Sequence, residues 1–173
     1  NSKAQAMWRF SAALVLCAAT NIAVAAQGFY SAAEEWETTK HEIGGKTAAV
    51  RTNAALSAIV TRAEFGRSLR FLVSFNIHND RPFPERLDRD DLEKIEAAIE
   101  DRLVDPGHAI FATIITVNNA REFLLYVKDM DHAQALAEKL INDIKTHKIS
   151  FRLESDPNWE AWSRYNSAAP QGR

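Results

Sequence analysis

Cysteine is almost absent from this chain. Cys17 is the single cysteine among 173 residues, and it lies close to the start of the sequence. A chain with one thiol cannot form an internal disulfide, so its fold must be held together by a hydrophobic core alone. Beyond residue 17, chemistry that depends on a thiolate is excluded.

Motifs for metal, cofactor and nucleophilic chemistry are also missing. The five histidines lack the spacing of a His-x-His or His-x-x-x-His pair; they are His41, His78, His108, His132 and His147. There is no Gly-x-Ser-x-Gly elbow and no glycine-rich phosphate loop. The sequence therefore predicts no metal site and no cofactor, and it favours a noncatalytic binding or protein-interaction module. The alternative is an envelope hydrolase in which a histidine such as His78, near Asp80, works with scattered carboxylates.

A surplus of positive charge and an apolar run long enough to span a bilayer are also lacking. The formal net charge is −2, which argues against nonspecific binding to nucleic acid. Residues 10–20 carry no charge, but a bilayer span needs about 20 apolar residues. This run follows a cationic start at residues 7–9 and precedes the small residues Ala23 and Ala25. That layout is typical of a secretory signal peptide cleaved near Ala25. We therefore assign residues 1–25 to the leader and upstream residues, and expect a periplasmic or secreted protein without a stable membrane span.

Alternating apolar and polar residues predict strands in the rest of the chain. The clearest covers residues 69–78. Residues 35–43 and 46–53 flank a Gly44-Gly45 turn signal, and residues 109–117 and 121–128 flank Asn118-Asn119. Ile149, Phe151 and Leu153 mark a last strand.

Two amphipathic helices are predicted between these strands. The first starts at Asp90, with Glu93 at capping-box spacing, and stops at residues 105–107. The second is capped by Asp131, with Gln134 three residues later. The apolar stripes are Leu92, Ile95, Ile99 and Leu103 in the first helix and Leu136, Leu140, Ile141 and Ile144 in the second. Residues 158–165 suggest a short terminal helix.

The order of these elements predicts the fold. From residue 69 it is strand, helix, strand, strand, helix, strand, which is the split βαβ plan. We expect an α+β, ferredoxin-like antiparallel sheet with two helices on one face, plus an N-terminal β-hairpin. Strands 69–78 and 121–128 would be central. A single domain would cover residues 35–165, followed by a flexible tail at residues 166–173.

The strands at 109–128 are apolar on both faces. Alternation places Ile110 and Ile114 on one side and Phe111, Ile115 and Val117 on the other. An open sheet face should be polar, so something must cover the second face. The candidates are the N-terminal hairpin, the tail at residues 159–162, or a second subunit. A protein partner or a homodimer could therefore use this face.

The second half of the chain resembles a known family. Its features are Asn-Ala-Arg-Glu-Phe at residues 119–123 leading to Tyr126, Asp-Pro-Asn-Trp at residues 156–159, and Tyr165 near the end. In these features, and in Trp36 with Gly44-Gly45, the sequence is similar to the family called domain of unknown function 695 over roughly residues 35–165. The resemblance implies a ferredoxin-like domain and brings no established activity.

One set of residues stands out as a candidate site: Arg121, Glu122, Tyr126, Asp156, Trp159, Trp162 and Tyr165. Arg121 and Asp156 would pair if the last helix folds back onto the sheet. Trp159 and Trp162 are three residues apart, so they can form one aromatic surface. The set is either a tail lock that closes the core or a recognition surface, because Trp, Tyr and Arg are common anchors at interfaces.

Overall fold

The computed structural model describes residues 35–58, 62–76 and 83–166. The predicted leader, His78 with Asp80, and residues 167–173 lie outside these ranges. Six strands are present: β1 (Trp36–Ile43), β2 (Lys46–Asn53), β3 (Arg67–Ser74), β4 (Ala109–Val117), β5 (Ala120–Val127) and β6 (Lys148–Ser155). They form one sheet in the order β1-β2-β4-β5-β3-β6, and every neighbouring pair is antiparallel.

Residues that tolerate positive φ make the tight turns of this sheet. Gly44 and Gly45 have φ values of 58° and 72°, and they connect β1 to β2. Asn118, with φ 55°, connects β4 to β5. Glycine and asparagine adopt this left-handed conformation at little cost, which is why the chain can reverse here.

The first helix begins earlier than its capping pattern predicted. Helix α1 spans Arg86–Ile99, and its N-cap is Glu85, whose side chain makes no capping hydrogen bond. The predicted start at Asp90 is therefore wrong. Residues 86–89 contain no helix breaker, so the helix extends back towards Pro84, whose ring disfavours further extension. A π-helical turn, Glu100–Val104, follows α1, and Gly107 with φ 78° ends it, as predicted.

The second helix and strand β3 also differ from prediction at their ends. Helix α2 spans Met130–Asp143, and its cap is Asp129, whose carboxylate accepts a hydrogen bond from the His132 amide at 3.0 Å. Asp131, the predicted cap, lies inside the first turn. Strand β3 ends at Ser74 rather than residue 78, although the Phe75 amide still donates to the Asn119 carbonyl.

Both long helices pack on the same side of the sheet, which we call the helix face. Alternate residues of the central strands, including Phe71, Phe123 and Leu125, form one buried cluster there. Helix α1 contributes Leu92, Ile95 and Ile99 of its predicted stripe, and the π-helical turn contributes Leu103. Helix α2 contributes Ala133, Ala137 and Leu140. Burial of this shared apolar surface is the main force that holds the helices to the sheet.

A β-bulge changes the faces of strand β4. The register between β4 and β5 shifts between Phe111 and Thr113, so Ala112 is an extra residue. As a result, Ile110 and Ile114 point to opposite faces, and the prediction that they share one is wrong. Ile114 joins Phe111 on the helix face, whereas Ile110 joins the cluster on the other side, which we call the tail face.

The tail face is covered by the C-terminal segment and by two short 3₁₀ turns, Ala54–Ala58 and Arg62–Glu64. Its cluster includes Leu56 and Phe65 from around these turns, Tyr126 from β5, and Trp159 and Trp162 from the tail. A four-residue helix, α3 (Glu160–Ser163), carries the tail across the sheet. Of the covers that the sequence suggested, the tail is therefore the one present over β4 and β5.

Candidate functional site

Four of the seven predicted site residues meet on the tail face. The Tyr126 hydroxyl donates to Asp156 Oδ2 at 2.6 Å and accepts from the Trp162 amide at 3.2 Å. Asp156 also accepts from the backbone amides of Glu160 and Ala161, at 2.8 and 3.0 Å. One carboxylate thus caps the first turn of α3 and ties that turn to a strand in the middle of the sheet.

The two tail tryptophans are buried, and their polar atoms are satisfied. Trp159 stacks on Tyr126 with ring centroids 3.9 Å apart, and its Nε1 donates to the Phe65 carbonyl at 2.9 Å. Trp162 meets Trp159 edge to face, and its Nε1 donates to the Asn53 carbonyl at 3.3 Å. Neither side chain is more than 1% exposed. In this conformation the indoles face the protein interior, not a partner.

Burial controls the chemistry of Tyr126. Loss of solvent and the hydrogen bond to Asp156 raise the pKa of the Tyr126 hydroxyl far above its ordinary value. The hydroxyl therefore remains a neutral donor at neutral pH. A phenol held in this way suits a structural role rather than proton transfer.

The other three predicted residues do not belong to this hydrogen-bonded group. Arg121 is on the helix face, where its Nε donates to Thr116 Oγ1 at 3.0 Å. The predicted pair between Arg121 and Asp156 is therefore wrong, because alternation along β5 puts Arg121 and Tyr126 on opposite faces. Glu122 accepts from Arg70 Nη1 at 3.3 Å on the tail face. Tyr165 is half-buried and meets the His41 ring edge to face at 5.6 Å.

Arg121 instead helps to form a cleft with two other arginines. The cleft has a volume of about 270 Å³ and lies on the helix face, near the start of α1. Arg51 reaches it from β2, Arg121 from β5 and Arg89 from the first turns of α1. Cross-strand pairing brings the two strand residues to one face, because Arg51 is opposite Ile114, and Arg121 is opposite Thr116. We call this the arginine cleft.

Arg51 is held in place by an acidic and an aromatic neighbour. Its Nη1 lies 3.0 and 3.4 Å from the two carboxylate oxygens of Glu96. Its guanidinium lies over the Trp36 ring, 5.1 Å from the centroid. These contacts neutralise the Arg51 charge and fix its position. Arg51 therefore lines the cleft as one half of an ion pair, and its charge is not the one available to a ligand.

Arg121 is a partly buried cation that makes no ion pair within the described parts of the chain. Burial lowers the pKa of its guanidinium, an effect that the nearby Glu96 carboxylate opposes. An arginine nevertheless stays protonated in proteins. Its Nε is used by Thr116, and within the described parts of the chain its two terminal nitrogens have no hydrogen-bond or ion-pair partner. Arg121 thus lines the cleft with a positive charge and two terminal nitrogens that can donate to a ligand.

Apolar side chains form the rest of the cleft. Phe83 is 38% exposed, and Pro84 follows it at the approach to α1. Ala49 and Ile114 lie on the sheet side. Exposed aromatic surface next to uncompensated arginine donors is the usual composition of a site that orients a ligand through a few polar contacts.

Histidine clusters give weaker candidates. The His108 and His132 rings are in contact, with centroids 4.3 Å apart, and His147 Nε2 lies 3.3 Å from Asp88 Oδ1. Among the described residues, no three His, Cys, Asp or Glu side chains are grouped so that they could bind a metal ion. Nor does any helix in those ranges have the length and apolar character to cross a membrane.

Sequence reasoning missed Arg51, Arg89 and Phe83. Each comes from a different segment, and they meet only because the sheet register aligns β2, β4 and β5 beneath the start of α1. Arg121 was singled out, but with the wrong partner. The sequence did contain a signal for the face on which Arg121 lies: its odd-numbered position, which it shares with the helix-facing residues Phe123 and Leu125.

Fold and site together define an α+β domain with one six-stranded antiparallel sheet, a buried tail on one face and an arginine cleft on the other. Residues 34–165 match the model of a family described as "Family of unknown function (DUF695)". The chain belongs to this family, as its sequence resemblance predicted. A search of curated proteins found no match.

Proposed function

We propose that this protein is a noncatalytic binding domain that holds an anionic group of its ligand in the arginine cleft. The observation that carries the proposal is Arg121, a largely buried cation whose two terminal nitrogens have no partner among the described residues. Burying a charge without a partner is costly, so proteins keep such a group where a ligand can compensate it.

The rival function, hydrolysis by a histidine and carboxylates, has less support. Glu96, the carboxylate with the largest electrostatic effect on Arg121, is already paired with Arg51. No histidine is among the described residues that line the cleft. General acid–base chemistry needs a group with an accessible proton or lone pair near the substrate. Two arginines and a neutralised ion pair serve recognition better than proton transfer.

We assign the candidate surface of Tyr126, Asp156, Trp159 and Trp162 to a structural tail lock. Its aromatic rings and hydrogen-bonding groups are used internally, which leaves the arginine cleft for the ligand. We also propose that strands β3 to β6, with α1 and α2, form a ferredoxin-like unit that is extended by the β1–β2 hairpin. In that arrangement the cleft lies where the hairpin joins the unit.

We also propose that the domain works outside the cytoplasm, as a periplasmic or secreted protein whose ligand is a protein or a small molecule rather than nucleic acid. The leader-like residues 1–25 support export. We expect expressed protein recovered from the export compartment to have an intact mass that corresponds to cleavage near Ala25. Recovery of exported chains that retain Met7 or Trp8 would refute this assignment.

Anion binding can be tested by NMR. The backbone amide resonances of Thr116 and Phe83, which line the cleft, would be followed while acetate, phosphate or sulfate is added at constant ionic strength. At least one anion should give a saturable shift that disappears in Arg121→Gln and persists in Arg86→Gln, whose exposed side chain makes only a long contact with Asp90 at 3.7 Å. Equal, non-saturating shifts in all three proteins would exclude the cleft as an anion site.

A further inference from the structure

The charge balance around Arg121 narrows the class of ligand. Resting on the proposed function, we infer that the arginine cleft binds a single carboxylate attached to a flat apolar group. The charged groups with the largest electrostatic effect on Arg121 are Arg51, Arg89, Glu93 and Glu96. Counted with Arg121 itself, these five side chains carry three positive charges and two negative ones. One positive charge remains for the ligand.

The one remaining positive charge matches a carboxylate better than a phosphate ester. A carboxylate carries one negative charge at pH 7, whereas a phosphate monoester carries about −1.5 to −2. A phosphate would give these side chains and their ligand a net negative charge, which is less favourable than neutrality in a partly desolvated cleft. A carboxylate would leave the group neutral.

The hydrogen-bonding pattern of Arg121 points the same way. Its Nε is occupied by Thr116, so the free edge of the guanidinium consists of the two terminal nitrogens. Two parallel N–H groups match the two oxygens of a carboxylate and form a bidentate pair. Arg89 is exposed at the rim and can approach the same oxygens from the side of α1.

The apolar wall determines what the carboxylate is attached to. Phe83 and Pro84 present flat apolar surface beside the arginines. A planar group can stack on Phe83 while its carboxylate reaches Arg121. The cleft volume of about 270 Å³ is below the usual range of about 300–1,000 Å³ for ligand pockets, so it suits one ring or one side chain rather than a whole cofactor.

Four probes test this ligand class: benzoate, phenyl phosphate, benzamide and acetate, titrated by NMR at constant ionic strength. We expect benzoate to bind at least tenfold more tightly than phenyl phosphate or acetate, and benzamide to show no saturable shift. Phe83→Ala should weaken benzoate at least fivefold and leave acetate unchanged. Arg121→Lys, which keeps the charge but loses the paired donors, should weaken benzoate at least tenfold.

The outcomes separate the two proposals. If phenyl phosphate binds more tightly than benzoate in an Arg121-dependent way, the anion site stands and the carboxylate assignment is overturned. If none of the four probes saturates, the proposed function falls as well. Arg86→Gln serves as the matched surface control. If Arg121→Lys fails to fold, Phe83→Ala still decides whether the ligand carries a flat apolar group, because Phe83 is at a partly exposed position.

Discussion

At the scale of single residues, the Tyr126 hydroxyl is the most constrained polar group on the tail face. Replacing Tyr126 by Phe removes a donor to Asp156 and an acceptor for the Trp162 amide. Both partners lie in or next to a buried cluster, where an unsatisfied group costs roughly 1–3 kcal/mol. We expect Tyr126→Phe to lower the free energy of unfolding by about 2 kcal/mol, measured by urea denaturation.

Tyr165 provides the matched control for this substitution. It is half-buried near the end of the same tail, and no hydrogen bond of its hydroxyl is found within the described residues. Tyr165→Phe should therefore change the free energy of unfolding by less than about 0.5 kcal/mol. Equal losses in the two variants would mean that the Tyr126 hydroxyl has no special structural role.

The raised pKa of Tyr126 also predicts an alkaline limit of stability. Folding keeps this phenol protonated, whereas an unfolded tyrosine loses its proton near pH 10. Above that pH the unfolded state binds fewer protons than the folded state, so stability must fall as pH rises. The contribution is fully present below pH 10 and declines by at most about 1.4 kcal/mol per pH unit above it.

Denaturation curves between pH 8 and 11 would measure this effect. Wild-type protein should lose stability more steeply above pH 10 than Tyr126→Phe, which has no phenolic proton to lose at this position. The difference between the two curves isolates Tyr126 from lysines that titrate in the same range. Parallel curves would show that the Tyr126 pKa is not raised by folding.

At the scale of elements, the tail lock depends on Trp159. Its backbone adopts φ 57°, a left-handed conformation that costs a bulky residue energy, so its packing must more than offset that strain. Trp159→Ala removes the stack on Tyr126 and the hydrogen bond to Phe65. We expect a loss of about 3–5 kcal/mol in the free energy of unfolding, measured by chemical denaturation.

Arg164→Ala tests whether that loss is specific to Trp159. Arg164 is exposed and lies directly after α3, so its removal should cost no more than about 0.5 kcal/mol. If Trp159→Ala has the same denaturation midpoint as Arg164→Ala, the tail does not stabilise the sheet and the structural assignment fails.

Element positions were largely predictable because they depend on local pattern. The strand at residues 109–117 is observed with the predicted bounds, and Asn118 makes the predicted turn. Errors arose where two local signals compete or where one residue is inserted. Both Asp129 and Asp131 can cap α2, and the capping-box spacing of Asp131 and Gln134 favoured the wrong one. The bulge at Ala112 leaves no local signal, yet it reverses the faces of every residue after it.

The site was less predictable than the fold, because it depends on register between distant segments. The aromatic and acidic residues of the tail were identified from their chemistry, but the sequence supplied Arg121 as the partner of Asp156 where the structure has Tyr126. The arginine cleft requires β2 to align with β4, and β4 with β5. Neither alignment follows from periodicity, which fixes which residues share a face but not which strands are neighbours.

At the scale of the whole molecule, the sheet is stable only if both apolar faces of β4 and β5 are covered. The helices cover one face, and the C-terminal segment contributes both buried tryptophans of the other. A buried aromatic side chain removes roughly 150–250 Å² from water, which is worth about 4–6 kcal/mol at about 25 cal/mol per Å². Two of them together rival the roughly 5–15 kcal/mol by which whole domains are stable.

A chain that ends at Ser155 should therefore lose its native state, even though it keeps all six strands and both long helices. Without the tail, Ile110, Leu124 and Tyr126 would face water across the middle of the sheet. We expect binding of a hydrophobic dye, loss of near-ultraviolet circular dichroism, and self-association in sedimentation velocity runs. A chain that ends at Asn166 keeps α3 and both tryptophans and should behave like the full-length protein. Cooperative unfolding of the shorter chain at an unchanged midpoint would show that the helix face alone is sufficient to hold this sheet.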